Sequence, residues 1–111
     1  MNEKTIEKEH INSVFHRVLT DSELQYISYR NLLPLHQFKL LQAIAVEDGV
    51  THPTSGKFIM RYNLTSASSV YTSLKALQEK EMIVQEKGKW LVYDVFFSRW
   101  LEHHYRRQSR V

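Results

Sequence analysis

The feature that most constrains the fold is a change of hydrophobic period shortly after residue 80. Two short runs, MIVQEK and KWLVYD, are rich in β-branched and aromatic residues and lie on either side of Gly88. Runs of this kind around a glycine predict a β-hairpin. The segments before and after the hairpin have helical spacing, so we expect one small sheet in a mainly helical chain.

A tight turn between two helices is predicted before the hairpin. Residues 63–65, NLT, predict the turn, and the short helix before it is expected to begin at Thr54 or Ser55. The helix after the turn is expected to have Thr65 or Ser66 as its cap, because hydroxyl oxygens satisfy free backbone N–H groups. Its buried face is predicted at three residues with helical spacing, Val70, Leu74 and Leu77.

Proline and glycine divide the rest of the chain. Residues 4–32 have a helical pattern, and Pro34 marks the restart of a second helix. Gly49 is expected to end that helix at the left-handed position that glycine usually takes. After the hairpin, the stretch VFFSRWLEHHYRR recovers helical spacing, and Asp94 is expected to cap this last helix.

The predicted order is helix, helix, short helix, turn, helix, hairpin and helix. Two helices joined by a three-residue turn and followed by a two-stranded hairpin form a helix-turn-helix with a wing. We therefore predict a mainly α fold with a small β-hairpin. A winged helix-turn-helix domain with a C-terminal helix is expected over residues 34–111, preceded by an N-terminal helical segment over residues 1–33.

The helix after the turn carries the candidate binding surface. In helix-turn-helix proteins this helix enters the major groove, and its N-terminal residues face the bases. Short hydroxyl side chains can contact phosphates or base edges there, and lysines at the hairpin tip can reach a backbone phosphate. The predicted nucleic-acid-binding residues are Ser66, Ser68, Ser69, Tyr71, Thr72 and Lys75 on the helix, and Lys87 and Lys89 on the hairpin.

The same residues also have a purely structural interpretation. Ser and Thr favour the start of any helix, and this helix has no Arg, although Arg to guanine is the commonest specific base contact. Residues 1–34 carry four basic and five acidic residues, a net charge of −1, whereas residues 35–111 carry eleven and seven, a net charge of +4, so the basic excess lies in the second part. A bias of this size fits a polyanion partner or an ordinary solvated surface.

Composition and motifs exclude several kinds of site. The chain has no cysteine, which rules out disulfides, thiolate zinc sites and a cysteine nucleophile. No H-E-x-x-H, G-x-S-x-G or G-x-x-x-x-G-K-[ST] motif occurs, so we expect no catalytic residue, no metal ligand and no cofactor in this chain. No apolar run approaches the roughly 18 residues of a membrane span, and the charged N-terminus is unlike a signal peptide. We expect a cytoplasmic protein with no membrane partner.

Four stretches occur in a fixed order: LLQAIA (40–45), TSGKFIMRYNL (54–64), SASSVYTSLKALQEKEMI (66–83) and VYDVFFSRWL (92–101). Together they resemble the C-terminal winged-helix domain of prokaryotic AAA+/STAND-type ATPases, also called the archaeal ATPase family. Val95 departs from the family, which often has proline after the aspartate. The helical residues 4–32 resemble the lid segment that precedes this domain in the family.

The family's nucleotide-binding loop does not occur in the chain, so the resemblance implies either the C-terminal fragment of a longer P-loop ATPase, which we favour, or a free-standing remnant of one. In the family, the winged helix binds DNA or packs on the nucleotide domain as a regulatory module. The implied partners are duplex DNA, the ATPase domain of the parent protein, or a second copy of the chain. A homodimer would form through an apolar face of residues 4–32 that is left uncovered without the ATPase domain.

Overall fold

The computed structural model describes residues 22–109. The predictions for residues 4–21 and for the last two residues lie outside the described range. In chain order the elements are α1 (residues 22–32), α2 (Leu35–Glu47), α3 (Gly56–Arg61), α4 (Ala67–Glu79), β1 (Ile83–Glu86), β2 (Lys89–Val92) and α5 (Val95–Ser109). They confirm a mainly helical fold with a two-stranded hairpin. None of the described helices is long and apolar enough to cross a membrane.

α2 is the central helix of the domain. Its residues are buried at six consecutive positions from Leu40 to Ala45, which is more than one full turn. A helix buried on every side needs partners on more than one face, and α4 and α5 both pack against it. Leu77 of α4 and Leu101 of α5 are each 0% exposed. The core is therefore built around α2.

α1 joins the same core through an aromatic side chain. Tyr26 is buried, and its ring centroid lies 4.9 Å from that of Phe97 and 5.6 Å from that of Trp100. Burial raises the pKa of the Tyr26 hydroxyl. The division between residues 1–33 and 34–111 stays a prediction, but the described part of α1 packs directly on α5.

Three of the helices end with a residue in the left-handed conformation. These residues are Asp48 after α2, Asn63 after α3 and Glu81 after α4, with φ of 53°, 54° and 59°. At each end the next residue donates its backbone N–H to the carbonyl five residues earlier, as Gly49 does to Ile44 at 3.4 Å. This is the Schellman pattern of helix termination. The prediction that Gly49 takes the left-handed position is wrong, because Asp48 takes it and Gly49 follows.

The hairpin closes with a two-residue turn. Glu86 pairs with Lys89 across the antiparallel strands, and the turn is Lys87-Gly88. Both turn residues have positive φ, 51° and 81°. A turn of this length with positive φ at both positions follows the twist of the strands, as type I′ turns do. The hairpin predicted around Gly88 is therefore confirmed.

Val50 adds a single-residue rung to β2. It exchanges two backbone hydrogen bonds with Trp90, at 3.0 Å and 2.8 Å. Gly49 makes this approach possible, because a Cβ atom there would lie 3.1 Å from Cδ2 of Leu91 and 3.5 Å from Cδ of Lys89. Its φ of 115° also favours glycine. The chain after α2 is thereby fixed to the hairpin.

The end of α2 is also tied to α3 by one carboxylate. Oε1 of Glu47 accepts a hydrogen bond from the Tyr62 hydroxyl at 2.5 Å and one from Nη1 of Arg61 at 2.9 Å. These two donors hold the pKa of Glu47 below its usual value. Burial, followed by the bond to Glu47, raises the pKa of Tyr62.

Candidate nucleic-acid interface

Ser66 caps α4. Its Oγ accepts a hydrogen bond from the backbone N–H of Ser69 at 3.1 Å and lies 3.2 Å from Oγ of Ser68. Thr65, the alternative cap, does not take this role, and its Oγ1 lies 3.2 Å from Nδ1 of His36. The hydroxyl of Ser66 is therefore engaged in starting the helix.

Ser68, Tyr71, Thr72 and Lys75 form one exposed row along α4, which we call the α4 stripe. Their spacing of three and four residues places them on one side of the helix. Two interactions join members of the stripe. The Thr72 hydroxyl donates to the carbonyl of Ser68 at 3.0 Å, and Nζ of Lys75 lies 5.0 Å from the ring centroid of Tyr71. The stripe is therefore a connected polar surface.

Two other hydroxyls of this region do not lie on the stripe. Ser69 is partly buried, and it lines a small depression that His36 and Lys39 of α2 also line. Ser73 is buried, 6% exposed, on the inward side of α4. Ser66 and Ser69 therefore lie at the start of α4, whereas the residues of the α4 stripe form the outward face of the helix.

The two predicted hairpin lysines lie at the tip. Lys87 is in the turn and Lys89 begins β2, and both are exposed. The aliphatic part of Lys89 lies near Gly49, because a Cβ atom placed on that glycine would be 3.5 Å from Cδ of Lys89. Glu86 stands opposite Lys89 and offsets part of the positive charge. These lysines are on a different element from the stripe, so any joint action requires a ligand large enough to reach both.

Sequence reasoning missed the contribution of α2 to this surface. His36 meets Thr65 across 29 positions, and Gln37 accepts a hydrogen bond from Nζ of Lys80 across 43 positions, at 2.6 Å. Local periodicity carries no signal for such pairs, because they depend on how α2 crosses α4. His36 and Lys39 therefore extend the candidate surface beyond the predicted residues.

The electrostatics of α4 are close to neutral. The helix holds one Lys, Lys75, and one Glu, Glu79, and no Arg. The basic excess lies on α5, which holds Arg99, Arg106 and Arg107 against Glu102. Among residues 22–109, no group of three or more His, Asp or Glu side chains is placed to hold a metal ion. The exposed face of α4 therefore carries hydrogen-bonding groups but little net charge.

Residues 24–103 match the family model described as "probable winged helix domain". The chain belongs to this family. The matched segment runs from α1 into α5 and includes the turn, α4 and the hairpin, which is the wing of the fold. Comparisons with curated proteins and with solved structures gave no match.

In winged-helix proteins that bind DNA, the helix after the turn and the wing are the elements that commonly contact it. The helix after the turn is the element that helix-turn-helix proteins insert into the major groove, and here that helix is α4. The stripe faces outward on it, and the wing carries two exposed lysines. The fold is one that commonly binds DNA, which makes this surface the candidate interface.

Proposed function

We propose that this chain is a non-catalytic winged-helix module that binds duplex DNA through the α4 stripe, Lys87 and Lys89. The observation that carries the proposal is the exposed stripe on the helix that follows the turn. It presents two hydroxyls, a phenol and an ammonium, which are groups that can form hydrogen bonds with phosphate oxygens or base edges. Ser66 and Ser69 lie at the start of α4, where the positive end of the helix dipole favours a phosphate.

The proposal extends to the setting of the module. The ordered resemblance described above supports a C-terminal fragment of a prokaryotic AAA+/STAND-type ATPase that works in the cytoplasm. Residues 34–111 would then form the DNA-contacting unit, and residues 1–33 would be the lid-like segment that joins it to the ATPase domain. The chain itself would need no cofactor.

The test is a fluorescence-anisotropy titration of a labelled random duplex at a low and a high salt concentration. We expect affinity to fall with a log–log slope of about 0.9 for each phosphate contact. The double variant Lys75→Glu/Lys89→Glu should weaken binding to every sequence, and Lys75→Met/Lys89→Met should lower the salt slope by about two.

The matched control is Arg99→Glu/Arg107→Glu, which makes the same change of net charge on exposed positions of α5. We expect it to leave affinity largely unchanged. Equal loss in both double variants would mean that only net charge attracts the DNA. Loss in the α5 variant alone would place the interface on α5 and overturn the proposal.

A second candidate function is a protein-docking module, and an apolar groove favours it. The groove has a volume of about 420 Å³ and lies between α1, the end of α4 and the start of α5. Leu32 is 76% exposed and Tyr93 is 70% exposed at its rim. We propose the ATPase domain of the parent protein as the occupant, since the resemblance includes that arrangement.

Analytical ultracentrifugation with and without the cognate ATPase domain tests this second candidate. Leu32→Glu/Tyr93→Glu should abolish a complex that the Met60→Glu control preserves, because Met60 is exposed on α3 outside the groove. A chain that stays monomeric and does not associate with the ATPase domain would reject the docking module. Concentration-dependent dimers that the groove variant disperses would identify a second copy as the occupant instead.

A further inference from the structure

We propose that a cleft between α1, α2 and α5 binds a small carboxylate that has an apolar body. The starting observation is Gln42, the one polar residue in the buried run of α2. It is 7% exposed, and its Nε2 has no hydrogen-bond partner among residues 22–109. Buried amide donors in native proteins are nearly always paired, because an unpaired one loses its hydration without compensation. Because Nε2 is closed to solvent in this rotamer, the amide must turn about χ3 to face the adjoining space, where a ligand that accepts a hydrogen bond would satisfy it.

Gln42 lies where two clefts of about 320 Å³ and 220 Å³ adjoin. Both are lined by Lys39, Gln42 and Gln108, and we call the larger one the Gln42 cleft. Its volume falls at the lower end of the range for small-molecule sites, about 300–1,000 Å³. The space is therefore suitable for a small ligand beside an unpaired donor.

The charges of the Gln42 cleft favour an anion. Arg30 and Lys39 line it from α1 and α2, and no acidic residue of the described chain lines either cleft. Two cationic residues and Gln42 line this one cleft, whereas the α4 stripe has only Lys75. A guanidinium can bind both oxygens of a carboxylate in parallel, which gives geometric specificity.

The opposite wall of the cleft is apolar. Leu33, Leu35 and Phe38 line it. Leu35 is 64% exposed, so its side chain is accessible to a ligand in the cleft. A ligand that places a carboxylate between Arg30 and Gln42 would bring its apolar part against these side chains. The chemistry therefore fits an amphipathic carboxylate better than inorganic phosphate, which has no apolar part.

This inference does not rest on DNA binding. The Gln42 cleft is formed by α1, α2 and α5, and the α4 stripe lies on another helix. Lys39 also borders the start of α4, so it is the one residue that both surfaces share. Each proposal can therefore fail without the other.

The test is an NMR titration of the ¹⁵N-labelled full chain with 3-phenylpropionate as the probe. We expect saturable shifts of the Gln42 side-chain amide and of the Lys39 backbone amide at millimolar probe or below. The neutral 3-phenylpropan-1-ol keeps the apolar part but lacks the carboxylate, so it tests whether the charge is needed. Inorganic phosphate is charged but has no apolar part, so it tests whether the apolar part is needed. Both should bind about tenfold more weakly or not at all. Shifts that do not saturate, or equal binding of the alcohol, would overturn the proposal, and preferential binding of phosphate would refute the carboxylate class.

Two variants confirm the location. Gln42→Leu removes the amide, and Lys39→Met removes a charge at a partly exposed position that should not impair folding. Each should weaken 3-phenylpropionate binding about tenfold, since each loses a charge-assisted hydrogen bond. Lys57→Met, on exposed α3, is the control and should bind as the original chain does. Undiminished binding by Lys39→Met would exclude the Gln42 cleft as the site.

Discussion

α4 and α5 pack on the same central helix but present different outward faces. Each is anchored by a leucine that is 0% exposed, Leu77 on α4 and Leu101 on α5. Outward, α4 carries hydroxyls with no net charge, whereas α5 carries three Arg and one Glu. Core packing therefore does not distinguish the two helices. If the chain binds DNA as proposed, charge alone would favour α5 as the contacting helix, whereas position after the turn favours α4.

The largest expected effect tests whether the two helices are equally anchored. Leu77→Ala and Leu101→Ala should each destabilise the domain by about 2–5 kcal/mol, because each removes buried methyl groups and leaves a cavity. Urea unfolding monitored by circular dichroism measures both. If only one variant lost unfolding free energy, the other helix would contribute little to the core. The two helices would then not be equally anchored.

The next effect compares the caps of the two helices. Oδ1 of Asp94 accepts hydrogen bonds from the backbone N–H groups of Phe96 at 2.9 Å and Phe97 at 3.2 Å, whereas Ser66 accepts one bond. Ser66→Ala and Asp94→Ala should each cost about 1 kcal/mol. Ser68→Ala, on the stripe, should change unfolding free energy by less than about 0.5 kcal/mol. A larger effect at Ser68 than at Ser66 would contradict the assignment of the cap.

A smaller, pH-dependent effect belongs to α5 alone. His104 is partly buried and stacks on Trp100 at 5.1 Å. Burial, then the positive charges of Arg30 and Arg107 and the neighbouring His103, lower the pKa of His104. A pKa lowered by folding means that the unfolded chain binds the proton more readily. The contribution of His104 to the free energy of unfolding is therefore complete above its pKa in the unfolded chain, about 6.5. It is lost as the pH falls through the lower pKa that His104 has in the folded chain.

His104→Phe should remove this part of the acid sensitivity. Urea midpoints measured at several pH values between about 7.5 and 5 would show a smaller decline in the variant than in the original chain. An identical decline in both proteins would show that His104 is not responsible. No comparable group lies on the α4 stripe, so the effect also distinguishes the two helices.

The smallest effect concerns exposed pairs, one on each helix. Lys75 lies over Tyr71 on α4, and Arg106 pairs with Glu102 on α5 at 3.1 Å. Double-mutant cycles with Tyr71→Ala/Lys75→Met and Glu102→Gln/Arg106→Met should each give a coupling of about 0.5 kcal/mol or less. A much stronger coupling in the Tyr71 cycle would show that the stripe is rigid before any ligand binds.

The sequence predicted most of the candidate site but not its internal division. Periodicity placed Val70 and Leu74 inward, and their outward neighbours form the stripe. It could not separate the capping Ser66 and the partly buried Ser69 from the exposed Ser68, since all three are short hydroxyl residues in one turn. Which hydroxyl faces solvent depends on α2, which covers one side of the helix start.

The sequence by itself determined the order of the elements, the hairpin and the cap of the last helix, and it narrowed the caps of α3 and α4 to two neighbouring residues each. These features depend on interactions within a few residues, and the signals at Gly88, Ser55 and Asp94 are local ones. The tertiary structure decided the rung between Val50 and β2 and the cleft that contains Gln42. Both features depend on how elements distant in the chain pack against each other and on which side chains that packing leaves uncovered. A local sequence pattern carries no signal for contacts between such distant residues.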